Sequence, residues 1–368
     1  MAEITSFLKS LLSAPGLSAY ETPVMRLIEA RWRPLVDELS LSRLGSLHGL
    51  QRGSAPEPRP SILVAAHMDA IGLMVTQIVD GFLRITQVGE VDARILPGQL
   101  VTVHGVEDLP GVVVQPTAQL LPASVGEGPL AIEYLFVDVG LPAGRVPDLV
   151  HVGDPISFAT QPIELSGETL CGHTLDNRAS IAALTICLKE LRLRPHAWDV
   201  WAAATVQEET GLIGAYTSAY QIRPQLAVAV DVTFAKGPGV AERDAIWLGK
   251  DPHIDEWRTF PLGGGPTLGY GPNIHPALHQ AFKEAADRQG IPYGVDIMPG
   301  HSGTDAFALQ VTAEGIPSML ICIPLRYMHT PVEVASIKDI QHAGQLLAEF
   351  IARMEPDFKE KISWDDTK

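Results

Sequence analysis

Side chains of the metal-binding type stand just past apolar segments or in polar loops at five places in this sequence. They are His67, Asp176, Glu209, Asp231 and His329. Imidazole and carboxylate groups are donors that suit zinc and cobalt in proteins. A single site with two metal ions would use all five, and Glu208 stands beside them without being needed as a ligand. The sequence therefore predicts a dinuclear metal site with one spare carboxylate.

Short apolar runs place four of these five residues at one edge of a predicted sheet. The runs cover residues 62–66, 201–206, 226–230 and 319–323 and alternate with helical patterns, which predicts a mostly parallel sheet. Ligands of such sheets bind beyond the carboxyl ends of the strands. Asp176 instead precedes a helical pattern, which places it near a helix start. One face of that pattern carries Ile181, Leu184, Leu188 and Leu191.

Each candidate taken alone has an ordinary structural explanation. A lone Asp before a helix is usually a cap, a lone His after a strand is usually hydrogen-bonded structure, and a Glu-Glu pair is usually solvated. Glu208 and Glu209, however, follow a strongly apolar run. Burying their charge near Asp176 and Asp231 would be costly without a cation, and two divalent ions would compensate for it.

Length and composition exclude several classes of protein. The 368 residues are 46% hydrophobic, enough for two domains with a large core. The net charge of −16 argues against nucleic-acid binding and against an anionic membrane surface. Cys171, Cys187 and Cys322 are few and widely spaced, which predicts no disulfide framework and favours the reducing cytoplasm. No apolar run reaches membrane-spanning length, and the first residues show no basic leader segment.

The character of the chain changes after His67. From about residue 72 to residue 163, short Val-rich segments with Gly and Pro between them predict a small barrel-like β unit. Helical periodicity then returns, and Ser336 with Asp339 predicts a capping box at the start of a final helix. We therefore expect a three-layer α/β catalytic domain of residues 1–71 and 164–368. An inserted β domain of residues 72–163 would serve dimerisation or assembly.

Longer segments throughout the chain resemble one known family. They are GLSAYETPVMRLI, HMDAIGLMV, VGLPAGRVPDLVHVGDPISF, TLDNRAS, QEETGLIGA, VDVTFA, GTDA and RYMHTPVEV. In order and context they resemble the tetrahedral aminopeptidases. These are dinuclear-metal exopeptidases that include glutamyl and deblocking aminopeptidases, and some relatives have been labelled endoglucanases.

The resemblance implies a role for each candidate ligand. Asp176 would bridge two divalent ions, most suitably zinc or cobalt. His67 and Asp231 would complete the site of one ion, and Glu209 and His329 would complete the other. Ions held roughly 3.5–4 Å apart in this way lower the pKa of water and polarise a scissile carbonyl.

The same resemblance implies the catalytic groups and the partners. Glu208 would be the general base, and Asp69 would accept a hydrogen bond from His67 and fix its tautomer. Short or unfolded peptides would be the substrates. The chains would form dimers that assemble into a hollow tetrahedral dodecamer.

Three further polar residues have open roles. His173 and His301 could line the site, although a structural or solvent-exposed role is favoured for each. Asp305 could shape the substrate pocket or cap the helix that starts near Ala306, and the cap is favoured. The preferred first residue of the substrate cannot be read from the spacing of ligands.

Three other functions compete with an aminopeptidase. A metal-dependent carboxypeptidase or deacylase has similar ligands, but its extra domain comes later than an insertion between His67 and Asp176. A glucanase using two carboxylates would not require His67 and His329. A non-catalytic, metal-stabilised assembly protein would not need the base Glu208.

Overall fold

The computed structural model describes residues 2–121, 128–237 and 259–362. Its helices are α1 (Ala2–Ser13), α2 (Thr22–Trp32), α3 (Val146–Leu149), α4 (Leu175–Leu191), α5 (Ile213–Ile222), α6 (Pro276–Gln289), α7 (Asp305–Gln310) and α8 (Ile337–Arg353). Within these ranges, no helix combines the length and the apolar character needed to cross a membrane.

The strands belong to one open sheet and one closed barrel. The barrel strands are β4 (Gly72–Val79), β5 (Phe82–Val88), β6 (Leu100–His104), β7 (Asp108–Val114), β8 (Phe136–Asp138) and β9 (Pro155–Phe158). The open sheet contains β1 (Glu38–Leu41), β2 (Leu47–Gln51), β3 (Ser61–His67), β10 (Ile163–Leu165), β11 (Thr169–Gly172), β12 (Asp199–Thr205), β13 (Leu226–Phe234), β14 (Thr267–Tyr270), β15 (Gly294–Ile297), β16 (Ser318–Arg326) and β17 (Glu333–Ser336).

The open sheet is parallel at its centre and antiparallel at its flanks. Its main path runs β1-β2-β12-β3-β13-β16-β17-β11-β10, with β14 and β15 joined through β16. The neighbours β12, β3, β13 and β16 pair in parallel. They contain the four apolar runs that predicted buried strands, because a strand covered on both faces needs apolar side chains throughout.

Helices cover both faces of this centre and produce three layers. One group contains α1, α2, α4, α6 and α8, and the other contains α5 and α7. Both groups contact the central strands, and the large side chains Trp32, Trp198 and Phe282 are fully buried in the core between the layers. The predicted three-layer α/β class with an inserted barrel-like domain is confirmed.

The barrel begins five residues after His67, since β4 starts at Gly72. It closes in the order β4-β5-β8-β7-β6-β9, and Leu73 on its first strand pairs with Ile156 on its last. Closure leaves no unpaired strand edge. The interior is a second apolar core that includes fully buried Leu83 and Val137. The exact domain boundaries, 1–71 with 164–368 and 72–163, stay a prediction.

The final helix is correctly predicted, but its capping box is wrong. Ile340, Leu347 and Ile351 of α8 are buried as expected. Ser336 precedes the helix without capping it through its side chain. The carboxylate of Asp339 accepts the backbone N–H groups of Gly263 (2.7 Å) and Gly265 (2.8 Å) instead. A distant loop therefore outcompetes the helix's own first turn for this carboxylate.

Candidate metal centre

His67 forms one side of a buried polar cluster at the carboxyl end of β3. Its Nε2 lies 3.1 Å from Oδ1 of Asp176, 3.8 Å from Oε2 of Glu208 and 3.9 Å from Oδ1 of Asp231. Asp231 is part of β13, whose strand continues to Phe234, so it is inside the strand and not beyond it. Adjacent parallel strands thus bring His67 and Asp231 to one edge.

His329 forms the other side of the cluster, in the loop between β16 and β17. Its Nε2 lies 3.5 Å from Oδ2 of Asp176 and 3.5 Å from Oε2 of Glu209. The two oxygens of Asp176 therefore face two different imidazoles. Donor atoms lie within 4.8 Å of one another in two trios, His67–Asp176–Glu209 and His67–Glu208–Asp231. Both trios contain His67, and neither contains His329. The predicted pairing differs, because it groups Glu209 with His329 at the second ion.

The beginning of α4 places Asp176 between the imidazoles. Asp176 has non-helical φ and ψ angles of −79° and 102°, and its peptide bond to Asn177 is cis. Asn177 donates through Nδ2 to the carbonyl of Val230 at 2.8 Å, which ties this irregular turn to β13. The carboxylate of Asp176 consequently faces His67 and His329, and it does not act as a helix cap.

Asp69 connects His67 with the segment that carries the two glutamates. Its Oδ1 lies 3.4 Å from Nδ1 of His67, at the long end of a hydrogen bond. The same carboxylate accepts the backbone N–H groups of Glu208 (3.0 Å) and Glu209 (3.2 Å) and the hydroxyl of Ser18. The sequence predicted only the contact with His67, and the bonds to the glutamate backbone are an additional role.

Glu333 is a buried residue in contact with the candidate ligands that the sequence analysis missed. It is 2% exposed, and its Oε2 and Oε1 accept the N–H groups of Asp176 and His329, each at 3.0 Å. One signal could have revealed it. Glu333 is acidic, it opens a strand that is buried throughout, and it follows the candidate ligand His329 by four residues.

The electrostatics of the cluster show an excess of buried negative charge. Burial raises the pKa of Glu208 and of Glu209 well above the usual range, and neighbouring carboxylates add to this effect. Burial likewise raises the pKa of Asp231 to about 8. Burial opposes the charge of Asp176 too, but hydrogen bonds from His329 and His67 hold its pKa below the usual range. Nitrogen and oxygen donors with surplus negative charge fit divalent cations such as zinc.

Neither His173 nor His301 belongs to the two trios. Burial, assisted by a nearby arginine, lowers the pKa of His173 to about 3. Its ring packs edge-on against Phe158, the last residue of β9, with centroids 6.4 Å apart. His301 is exposed, and its ring lies 5.0 Å from that of Phe307. These contacts are those of structural and surface residues.

Asp305 does not cap α7, contrary to expectation. Thr304 occupies the N-cap position and accepts the N–H of Ala306 at 3.2 Å. Asp305 is the first helical residue, is 2% exposed and accepts the hydroxyl of Thr205 at 2.6 Å. Thr205 pairs with His67 across β12 and β3, so Asp305 supports the sheet edge behind the cluster.

A three-layer α/β fold with imidazoles and carboxylates gathered at the strand ends has the donor groups of a metal-dependent enzyme. Residues 45–346 match the family described as M42 glutamyl aminopeptidase. The chain belongs to this family, and it is a metal-dependent aminopeptidase. The resemblance to tetrahedral aminopeptidases is thereby confirmed, and the carboxypeptidase, glucanase and assembly-protein alternatives are not favoured.

Relatives match the chain over almost its whole length. A lysyl aminopeptidase of Pyrococcus furiosus is 33% identical over 358 residues, which cover 95% of this chain and 97% of the relative. The crystal structure of a TET aminopeptidase from a marine sediment Thaumarchaeota archaeon has a TM-score of 0.86 at 28% identity, covering 98% and 99%. The TET1 peptidase of Pyrococcus horikoshii, which can assemble into a tetrahedron or a large octahedral shell, has a TM-score of 0.80 at 26% identity, covering 95% and 100%.

Proposed function

We propose that this chain uses two divalent ions, zinc or cobalt, to remove N-terminal residues from short or unfolded peptides. The observation that carries the proposal is the position of Asp176, whose two oxygens face His67 at 3.1 Å and His329 at 3.5 Å. A shared carboxylate in this position can bridge two ions. Asp231 joins the His67 side of the bridge, and Glu209 joins the His329 side.

In this division each ion would be held by the same kinds of protein ligand: one imidazole, the carboxylate of Asp176 and one further carboxylate. Catalytic zinc sites also use three protein ligands, so that water or substrate can bind as well. Bound ions would lower the pKa of water and polarise the scissile carbonyl. Glu208 remains without a ligand role in this arrangement, although its Oε2 lies 3.8 Å from Nε2 of His67.

The chain's own residues supply proton transfer and orientation. Glu208 takes a proton from the attacking water and passes it to the departing amine, as a positioned carboxylate can. Asp69 orients the ring of His67 through its contact with Nδ1. It also fixes the backbone of Glu208 and Glu209 by accepting their N–H groups. One buried carboxylate, that of Asp69, thus positions the proposed base Glu208 and the two proposed ligands His67 and Glu209.

A peptide panel tests this function directly. Unblocked and C-terminally amidated peptides should lose their first residue, whereas N-acetylated peptides should not, because an aminopeptidase requires a free amine. A chelator should abolish turnover, and zinc or cobalt should restore it, since the proposed reaction depends on the ions. Cleavage that needs a free carboxyl group would indicate a carboxypeptidase. Full activity in a preparation without metal by elemental analysis would contradict the metal mechanism. Aminoacyl chromogenic substrates would identify the preferred first residue.

A cytoplasmic location is also part of the proposal. Cys171, Cys187 and Cys322 are all free and buried. Burial raises the pKa of the Cys187 and Cys322 thiols, which keeps them protonated and unreactive. Thiols that form no disulfide suit a reducing compartment.

The inserted barrel, residues 72–163, is proposed as the assembly module of a homo-oligomer, with a dodecamer built from dimers as the specific form. Two apolar side chains support this role. Val106 is 68% exposed and Val152 is 65% exposed. The N–H of Val106 bonds the carbonyl of Leu149 at 2.8 Å, three residues before Val152 in the sequence. The assembly reported for the Pyrococcus horikoshii relative also supports it.

Light scattering tests the assembly. The wild-type chain should have the mass of a multi-subunit particle, and V106R with V152R should shift it toward smaller species by placing charge in an apolar contact. L193R is the matched control, because Leu193 is 83% exposed and follows α4 on the catalytic domain. It should leave the mass unchanged. A wild-type chain that stays monomeric at all working concentrations would contradict the proposal.

A further inference from the structure

Glu333 bonds two segments that are far apart in the sequence. Its two carboxylate oxygens accept one backbone N–H each, from Asp176 at the start of α4 and from His329 in the loop before β17. Both distances are 3.0 Å, and the residue is 2% exposed. The same carboxylate also interacts with the backbone of Leu175. One side chain therefore connects these two backbone segments.

Neither segment is held in place by regular secondary structure. Asp176 has non-helical dihedral angles within the first turn of α4. His329 has a φ of 60° and Tyr327 a φ of 61°, so the loop contains two non-glycine residues in the left-handed region. Such conformations are unfavourable for residues with a Cβ and persist only where surrounding contacts impose them. The hydrogen bond that Glu333 accepts from the N–H of His329 is one such contact.

A buried guanidinium compensates part of the charge behind the cluster. Arg178 is fully buried and attracts the carboxylates of Asp69 and Glu333, while burial lowers its pKa to about 9. It also donates to the carbonyls of Leu11 and Ala14. Asp69 and Glu333 are thus both within electrostatic reach of one buried cation. Asp69 bonds the backbone of Glu208 and Glu209, and Glu333 bonds the backbone of Asp176 and His329.

We propose that Glu333 is a positioning residue that sets Asp176 and His329 at the separation needed by the ion between them, before that ion binds. The proposal rests on the dinuclear function proposed above. Glu333 supports two ligands of the ion on the His329 side, Asp176 and His329. It supports only Asp176 among the ligands of the ion on the His67 side, where His67 contacts Asp69 and is held by strand pairing.

Glu333→Gln separates this role from general stability. Glutamine keeps the shape, but its amide nitrogen cannot accept a hydrogen bond, so one of the two N–H groups loses its acceptor. In the metal-free chain, hydrogen exchange should become faster in peptides containing residues 175–177 and 327–330. Exchange in the peptide containing Glu208 and Glu209 should not change. Zinc titration should show the ion on the His329 side, which depends on both Asp176 and His329, bound about 10–100-fold more weakly, and the other ion weakened less.

Asp69→Asn is the matched control, because it removes the equivalent support from the other segment. It should speed exchange at Glu208 and Glu209 and leave residues 327–330 protected. If Glu333→Gln does not fold, Glu333→Asp takes its place. It retains the charge, but it is one methylene shorter and cannot reach both N–H groups.

Two results would overturn the proposal. One is unchanged exchange at residues 175–177 and 327–330 in the Glu333 variants, and the other is equally faster exchange throughout the chain, which would indicate a merely structural role. The exchange measurement needs no metal. Failure of the dinuclear function would instead appear in the wild-type chain as binding of one zinc ion or none, so the two failures are distinguishable.

Discussion

Glu208→Gln is expected to leave both metal ions bound and to lower kcat by about 10²–10⁴. Glutamine reproduces the shape of the side chain and removes its basicity. Substrate binding should persist, so KM should change little. Turnover and metal content must be measured on the same preparation.

The surroundings of Glu208 explain why replacing one carboxylate oxygen with an amide nitrogen should lower kcat so strongly. The side chain is buried beside His67 and Asp231, at the end of an apolar strand. Its backbone is fixed by the bond from its N–H to Asp69. In the proposed arrangement the neighbouring carboxylates have other partners, because Asp176, Glu209 and Asp231 would hold the ions and Asp69 accepts backbone N–H groups.

Glu209→Gln is the matched control, since it makes the same chemical change one residue later. The carboxylate of Glu209 lies 3.5 Å from Nε2 of His329, on the side of the second ion. Its replacement should reduce metal occupancy together with activity. Near-normal turnover of Glu208→Gln with both ions present would show that the assigned base is wrong, even though the family is right.

Asp176→Ala should have the broadest effect, because both ions lose a ligand at once. Metal content should fall from about two ions per chain toward none. Losing several kcal/mol of charge stabilisation corresponds to a fall in turnover of at least about 10³. Elemental analysis after gel filtration and a turnover assay measure the two effects.

Two single-sided variants provide the comparison for Asp176→Ala. Asp231→Ala removes a ligand only from the His67 side, and His329→Ala removes one only from the other side. Each should release about one ion per chain. If Asp176→Ala retains as much metal as these variants do, its carboxylate does not bridge, and the assignment of ligands must be revised.

The candidate ligands could be predicted because their positions follow from sheet architecture. His67 and Asp231 belong to neighbouring parallel strands, and parallel strands present their carboxyl ends on one edge. Apolar runs of this kind are readable in a single sequence. The inserted barrel was readable for a similar reason, since its short strands differ in composition and spacing from the flanking α/β segments.

The residues that support the site through backbone amides were harder to predict. Asp69 and Glu333 act on N–H groups whose directions depend on local dihedral angles, such as the φ of 54° at Gln207 and 60° at His329. Residue types at a given spacing do not encode these angles. The acidic type of Glu333 and its spacing from His329 could have marked it as a candidate, but its bonds to two backbone N–H groups follow only from the folded backbone.

The two capping predictions failed because capping rules consider only neighbours in the sequence. Asp339 bonds a loop more than seventy residues earlier, and Asp305 in α7 accepts the hydroxyl of Thr205 at the end of β12. Buried carboxylates need strong donors wherever the fold offers them. Tertiary contacts consequently decided both positions.

The barrel is inserted in the sequence between strands of the open sheet, and this insertion has a consequence for the order of folding. Every candidate ligand comes from a different segment, and β3 must find β12 across the whole insertion before His67 and Thr205 can pair. Contacts between distant segments form slowly, because closing a long loop costs entropy. The barrel strands are close in sequence, and pairing of Leu73 with Ile156 draws the ends of the insertion together. Early closure of the barrel would therefore shorten the path between β3 and β12, with the metal centre completed last.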